Sequence, residues 1–500
     1  MSAERTDLVV VGAGPAGLAA TATALLGGLR VTLVDAGSAL GGQFWRHPPD
    51  GATITGIERF HHALGTYRAL RATLGRYAAS GLLDVRLEHH AWTVATGRNA
   101  VDVHVDVHVL DRSAGPGTER ASVIRARHLL VATGAFDRQL PFPGWDLPGV
   151  FTAGGLQALL KGNGVTVPGR VVVAGTGPFL LPVATGLVQA GAQVVAVCEA
   201  ADPVRWARHA PVVAQLPVKA AEGAGYAARL LRHRVPVRVR TAVVAAHGRD
   251  RVEAVTLARL DKNGAPLPQT QEQVRVDVVG TGWGFVPQLD LARTLGCRLS
   301  SSADGNEVVS VDQWQRTSVP GVSAAGEACG VGGAELALRE GQLAAEGILA
   351  DLGRAGVTGP AALRRVRGLI ARHRAFAAAM AQVHALPPGW TGWLDDATTV
   401  CRCEEVRAGT VRAAVAAGAA DGRQVKQLTR AGMGWCQGRM CATAIEWLAR
   451  AGPSGAGAVG VEPFPAVERL VAAPVTLGAL AALEGAVEQV VGPGATQDDQ

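Results

Sequence analysis

Three glycines near one end of the chain and four cysteines near the other have spacings that hold ligands. Gly12-Ala13-Gly14-Pro15-Ala16-Gly17 follows the apolar run Leu8-Val9-Val10-Val11 and precedes a helix-length segment. Gly12 permits the tight turn of a dinucleotide site, Gly14 lets backbone approach a pyrophosphate, and Gly17 lets helix pack on strand. The pyrophosphate then meets free N–H groups at the positive end of the helix. Asp35 closes the next apolar strand, 23 residues past Gly12, where a carboxylate accepts from a ribose hydroxyl.

At the far end, 32 residues separate Cys401-Arg402-Cys403 from Cys436-Gln-Gly-Arg-Met-Cys441. Thiolates are soft ligands, so four of them select an iron–sulfur cluster or zinc. The spacing matches neither the usual zinc pair nor the ferredoxin runs. The residues leave three readings open: a [2Fe–2S] cluster, zinc, or unliganded core thiols. Thr429-Arg430-Ala431-Gly432-Met433-Gly434 supplies glycines for a turn whose N–H groups point at sulfide, and Lys426 and Arg430 are cations able to raise a cluster's potential. The remaining cysteines, Cys198, Cys297 and Cys329, are scattered, so the pattern is not a secreted disulfide framework. Reduced thiols imply a cytoplasmic protein.

The glycine turn recurs. Arg170-Val-Val-Val-Ala-Gly175-Thr-Gly177-Pro-Phe-Leu180 echoes the first unit, and Glu199 closes its second strand as Asp35 closes the first. Position 180 is Leu instead of a third glycine, which pushes helix from strand or shifts how a nucleotide sits. Gly175, Gly177 and Glu199 therefore admit NAD(H), another nucleotide such as ATP, or no ligand. Glu199 favours an unphosphorylated ribose if a dinucleotide binds.

Two βαβ units in 500 residues predict an α/β chain of several domains, with a core large enough to need no disulfides. Residues 1–160 and 281–350 are expected to form one discontinuous domain and 161–280 the second nucleotide domain. A helical linker is expected over 351–395, the cysteine domain over 396–455, and a partly flexible extension over 456–500. The net charge of +6 is interleaved, with no basic run that calls for nucleic acid. The uncharged stretches Leu8–Leu29 and Val171–Cys198 are long enough to span a membrane, but each carries a Gly-x-Gly-Pro turn, so neither reads as a span. The N-terminus lacks the pattern of a signal peptide. Asp102, His104, Asp106 and His108 share one face of an alternating strand, which an ordinary half-buried strand explains without a metal. His61-His62 and His89-His90 read as surface. Trp45, Arg46 and His47 read equally as packing or as neighbours of the cofactor.

Several segments carry resemblances. Leu129-Leu-Val-Ala-Thr133-Gly134, Thr317 to Gly326-Glu327, and Gly41-Gly42-Gln43 resemble segments of two-dinucleotide-domain flavoproteins of the thioredoxin-reductase/glutathione-reductase type. The resemblance implies FAD on Gly12, Gly14, Pro15, Ala16, Gly17 and Asp35. It adds Thr133, Gly134, Gly326 and Glu327, with Gly42 and Gln43 at the flavin ring. Glu327 stands where Asp is commoner. The paired redox cysteines of the disulfide reductases have no counterpart before residue 400, so disulfide reduction is not expected. The four late cysteines resemble the small helical [2Fe–2S] domain of bacterioferritin-associated ferredoxin, with a wider second pair. That implies a cluster on Cys401, Cys403, Cys436 and Cys441.

The order of the parts is similar to the α subunits of heteromeric amino-acid and opine dehydrogenases, on Gly175-Thr-Gly-Pro-Phe-Leu-Leu-Pro182 and Gly432 to Cys441. This implies an amino-acid-oxidase-like flavoprotein β subunit that takes hydride from an amine C–H, while this chain carries electrons through FAD and the cluster. It also admits an FMN at a subunit interface and a small third ferredoxin-like subunit. Two other readings compete: a self-sufficient NAD(P)H-dependent FAD/[2Fe–2S] reductase, and a cofactor-bound scaffold for a catalytic partner.

Overall fold

A computed structural model describes residues 4–49, 51, 56–98, 103–115, 117–452 and 471–481. β1 (Glu4–Val11), α1 (Pro15–Leu26) and β2 (Val31–Val34) open the chain, and α2 (Leu64–Ala79) leads to β3 (Leu83–Arg86). A meander follows: β4 (His89–Arg98), β5 (Val103–Asp111) and β6 (Arg120–Val131). β7 (Ala135–Asp137) leads away to β8 (Val150–Thr152) and α3 (Ala153–Asn163), then β9 (Arg170–Gly175), α4 (Leu180–Gln189) and β10 (Gln193–Glu199). Helices α5 (Ala210–Ala214) and α6 (Pro217–Arg232) precede β11 (Val237–Val239), β12 (Thr241–His247), β13 (Ala254–Arg259), β14 (Glu272–Arg275), β15 (Val278–Gly282) and β16 (Phe285–Pro287). After α7 (Asp290–Thr294) and the hairpin β17 (Leu299–Ser301) and β18 (Glu307–Val309), the chain returns through β19 (Val322–Ala324) to α8 (Ala334–Asp351) and α9 (Pro360–Val383). The last part holds β20 (Thr399–Cys401), β21 (Val406–Arg407), α10 (Ala408–Ala416), α11 (Gly422–Thr429) and α12 (Ala442–Ala451).

The first sheet has the order β3–β2–β1–β6–β5–β4, with β19 on β6. β1 runs parallel to β2 and β6, so its carboxyl end points the Gly12 turn out of the sheet. Leu8, Val9 and Val10 have no exposed surface because helices cover one face and the meander side the other. The second sheet has the order β11–β10–β9–β15–β8. A domain boundary at residue 160 therefore falls inside α3. β8 and α3 belong with the second sheet, because β8 pairs parallel to β15. β15 runs to Gly282, past the expected boundary at 280.

On β5, Val105, Val107 and Val109 are buried, as the alternation required. Asp106 on the other face pairs with Arg125 at 2.7 Å instead of a metal. Asp102 lies outside the described residues, as do residues 456–470 and 482–500 of the expected extension. The stretches Leu8–Leu29 and Val171–Cys198 are each strand, turn, helix and the way into a second strand. No helix among the described residues is long and apolar enough to cross a membrane.

The expected linker is held tightly. Arg374 on α9 donates to Gly330 O at 2.9 Å and pairs with Glu340 of α8. The cysteine part shares one apolar core with β12, β13 and the residues after β15. Trp283 and Trp393 lie 5.8 Å apart, and the Trp393 indole donates to Gly264 O at 2.9 Å.

Candidate functional site

The first βαβ unit builds an open anion site. α1 starts at Pro15, directly after Gly14, and no side chain caps its first turn. A Cβ on Gly12 (φ +109°) would meet Ala132 O at 2.1 Å, and one on Gly17 would meet Gly12 O at 1.8 Å. A Cβ on Gly14 would meet nothing within 4 Å, so this glycine faces free space. Opposite, a Cβ on Gly42 (φ +57°) would come within 2.7 Å of the Gly14 Cα. The two glycines thus form a narrow cradle at a bare helix N-terminus, which fits a pyrophosphate. Asp35 Oδ2 accepts from Ala13 N at 2.5 Å and Oδ1 from Gly37 N at 2.6 Å. Burial nevertheless raises its carboxyl above the usual range. Each oxygen keeps a second lone pair for a ribose hydroxyl.

The other expected residues gather around this cradle. Ala16 packs against Gly326, whose Cβ would stand 3.0 Å from the Ala16 Cβ. Thr133 Oγ1 donates to Gln288 O at 2.7 Å, and Gly134 takes φ +75°. Glu327 Oε1 accepts from Gly333 N at 3.0 Å, whereas Oε2 is buried without a hydrogen-bond partner. Burial pushes this carboxyl up to about 7. An orphaned acceptor beside the glycine cradle fits a cofactor hydroxyl. Gln43 Oε1 is held by the Arg46 guanidinium at 2.6 Å. Trp45 is fully buried, and its indole donates to His62 O at 2.9 Å, so it packs. His62 is exposed and His61 half-buried, and both rings have partners. His61 Nε2 lies 2.7 Å from Arg46 O and His62 Nε2 lies 2.7 Å from the Tyr226 hydroxyl.

Three residues here escaped the motif reading. Glu340 is fully buried and accepts from Gly326 N at 3.0 Å, so the Glu340–Arg374 pair fixes the Gly326 turn. A Cβ on Gly341 would come within 2.0 Å of Ala16 O, so Gly341 seats α8 on α1. Lys161 is buried, with Nζ 3.5 Å from Phe44 O, and burial pushes it down to about 8. A charged residue on the buried stripe Leu336, Glu340, Leu343, Gly347 was the available signal for Glu340.

The second unit is built differently. Gly175 still makes the hinge, since its Cβ would stand 1.8 Å from Gly282 O. After Gly177, however, Pro178 and Phe179 turn before α4 begins at Leu180. Leu180 N and Leu181 N donate to Gly177 O and Pro178 O at 3.2 and 3.1 Å, so these N–H groups are spent within the turn. Leu180 fills the space beside Gly282. The Glu199 carboxylate is engaged within its own turn. It accepts from Thr176 Oγ1, Gly177 N and Ala201 N at 2.8–2.9 Å, and His384 Nδ1 stands 3.4 Å away. His384 follows α9, and its ring is bonded by the Trp206 indole at 3.2 Å.

The four free cysteines form two nested pairs. The thiols of Cys401 and Cys441 hydrogen-bond, as do those of Cys403 and Cys436, so each pair takes one thiol from each motif. Among the described residues no three metal-binding side chains converge on one point. Two pairs side by side fit a dinuclear cluster with two thiolates per iron better than a single tetrahedral zinc. Gly434 lets the two loops meet, because its Cβ would stand 2.2 Å from the Cys403 Cβ. Cys401 Sγ accepts from Gly432 N at 3.4 Å. The bond from Cys441 and these N–H groups hold the Cys401 thiol down to about 6, and Cys441, the donor, is pushed up. Arg430 is not a free cation, since it pairs with Glu404 at 3.1 Å.

A double-unit flavin body with an attached four-cysteine domain defines a class, and comparison with known proteins agrees. Residues 6–344 match the family described as pyridine nucleotide-disulphide oxidoreductase, and residues 399–450 match the BFD-like [2Fe–2S] binding domain. The chain belongs to that oxidoreductase family. An opine oxidase subunit of Rhizobium meliloti is 35% identical over 89% of this chain and 92% of its own length. The HcnB subunit of hydrogen cyanide synthase from Pseudomonas protegens is 32% identical over 87% and 89%. The crystal structure of L-proline dehydrogenase from P. horikoshii superposes with a TM-score of 0.65 at 20% identity, over 96% of this chain and 80% of that one. The chain is a flavin-dependent oxidoreductase with a [2Fe–2S]-type domain, and its relatives are subunits of multi-subunit oxidases.

Proposed function

We propose that this chain is the electron-transferring subunit of a heteromeric dehydrogenase that oxidises an amino acid, imino acid or opine at a C–N bond. FAD would supply two-electron uptake with single-electron release, and a [2Fe–2S] cluster would supply single-electron transfer. Gly14 and Gly42 would frame the pyrophosphate on the turn shaped by Gly12 and Gly17, Asp35 would accept from a ribose hydroxyl and Glu327 from a hydroxyl of the linking chain. Cys401, Cys403, Cys436 and Cys441 would hold the metal. The observation that carries this reading is the joining of both sites in one packed body. Arg439, between Cys436 and Cys441, pairs with Asp290 at 3.0 Å, two residues past Gln288, whose carbonyl accepts from Thr133 Oγ1 at 2.7 Å. The kinship with the opine oxidase chain supports a catalytic flavoprotein partner that removes hydride from the substrate.

Co-purification from the native host tests the partner, and an absorption spectrum tests the cofactors. Flavin bands plus broad thiolate-to-iron absorption are expected. Anaerobic NADH separates this reading from a self-sufficient NAD(P)H reductase. The flavin should stay oxidised, because Glu199 and the Gly177 turn are already engaged; rapid bleaching rejects the relay. Cys436→Ser should abolish turnover while leaving the complex assembled, and retained turnover would favour a scaffold.

A further inference from the structure

The two sulfur pairs meet very different surroundings. Cys401 and Cys441 are each 1% exposed and sit in the core shared with β12 and β13. Cys403 is exposed and Cys436 half-buried. Around that open pair lie Trp435 at 80% exposure, Leu428 at 62% and Met433 at 38%. Trp435 is the only exposed aromatic among the described residues. A single exposed Leu needs no explanation, but three large apolar side chains within eight residues, beside a cluster ligand, do. Trp and Met are residues that anchor protein interfaces.

Between residues 402 and 430 the exposed charge is mainly basic: Arg402, Arg407 and Arg423 are exposed, Lys426 is partly so and Arg430 is paired with Glu404, against Glu405 and Asp421. We propose that the face formed by Trp435, Met433 and Leu428 beside Cys403 and Cys436 is the electron-exit surface, docking an acidic carrier protein with its own one-electron centre. This rests on the electron-transfer reading above. One electron passes from the chain, supplied on the flavin side, to the carrier, which is reduced by one electron; no atom or proton moves. The apolar centre is small, which suits the brief contacts of redox partners. This basic excess raises the encounter rate with an acidic partner and makes it salt-sensitive.

The test uses the full chain loaded with FAD and iron and reduced anaerobically with limiting dithionite. In stopped flow it is mixed with the haem domain of cytochrome b5, an acidic one-electron acceptor, and separately with cationic cytochrome c and ferricyanide. Cytochrome b5 reduction should be faster than cytochrome c reduction at low salt and fall steeply as salt rises. Trp435→Ala should slow it tenfold or more while leaving ferricyanide reduction and the cluster absorption unchanged. The double variant Arg423→Glu/Lys426→Glu should slow it similarly and flatten its salt dependence. Unchanged cytochrome b5 rates in both variants, with the cluster present and reducible, overturn the docking face alone. So does a catalytic partner that blocks cytochrome b5 while the cluster still fills from substrate. Absence of any thiolate-to-iron absorption overturns the electron-transfer reading and this face with it.

Discussion

Gly14 and Gly177 hold the same place in two βαβ units, yet the first faces a bare helix N-terminus and the second a turn that uses its own N–H groups. Both units keep the hinge glycine, because in each a Cβ would strike a carbonyl oxygen across the turn. They diverge at the third position. Gly17 leaves room for Gly12 O, which its Cβ would meet at 1.8 Å, whereas Leu180 packs beside Gly282 and α4 starts two residues later. They diverge again at the acid. Asp35 holds two backbone N–H groups, while Glu199 holds two and a hydroxyl and lies under His384. A dinucleotide site thus depends less on the hinge than on what the helix start and the acid still have free.

Exchanging the third residue is the strongest way to break this contrast. Gly17→Leu forces a side chain into backbone, so FAD content should fall more than tenfold on purification, read as the flavin-to-protein absorbance ratio. The counterpart Leu180→Ala removes a core side chain that is 1% exposed and should cost about 2–5 kcal/mol in thermal or urea melts. It should bring no NADH affinity by titration calorimetry, since Glu199 stays engaged; tight binding would show that Leu180 alone closes the site.

Glu327 sharpens the contrast through pH. Burial raises its carboxyl from 4.5 to about 7 in the folded chain. The native state therefore binds more protons than the unfolded state between those values. Stability of the FAD-free chain is full below about pH 4.5 and falls as pH rises through 7, by roughly 3 kcal/mol in all. Glu327→Gln should flatten that slope in melts between pH 5 and 8.

The smallest effect is expected from His384→Ala, which removes the ring beside Glu199 and the acceptor of the Trp206 indole at a cost of about 1 kcal/mol. If ATP or NADH then binds where it did not before, the segment after α9 is the plug. If neither binds, the Gly177 turn is the barrier.

The repeat of the glycine turn was legible because each step has a local cause: an apolar strand, a hinge with φ above zero, an apolar helix and a closing acid. The cysteine pairs were legible because their ligand type is. The boundary near residue 160 was misplaced because β8 joins its sheet through β15, more than 120 residues later, which local periodicity does not register. His61 is half-buried where the sequence suggested surface, because its partner Arg46 O lies 15 residues away.

Residue type and spacing by themselves determined a glycine turn shaped for a dinucleotide and four thiols of a metal-binding type, since the needed backbone freedom and ligand softness belong to the residues. Only the tertiary structure decided which acid stays available, that Glu340 and Arg374 pin Gly326, and that the cysteines form nested pairs with one pair outward. Those outcomes depend on which distant groups arrive to satisfy a buried charge or fill a cavity, and a chain's local pattern carries no record of that arrival.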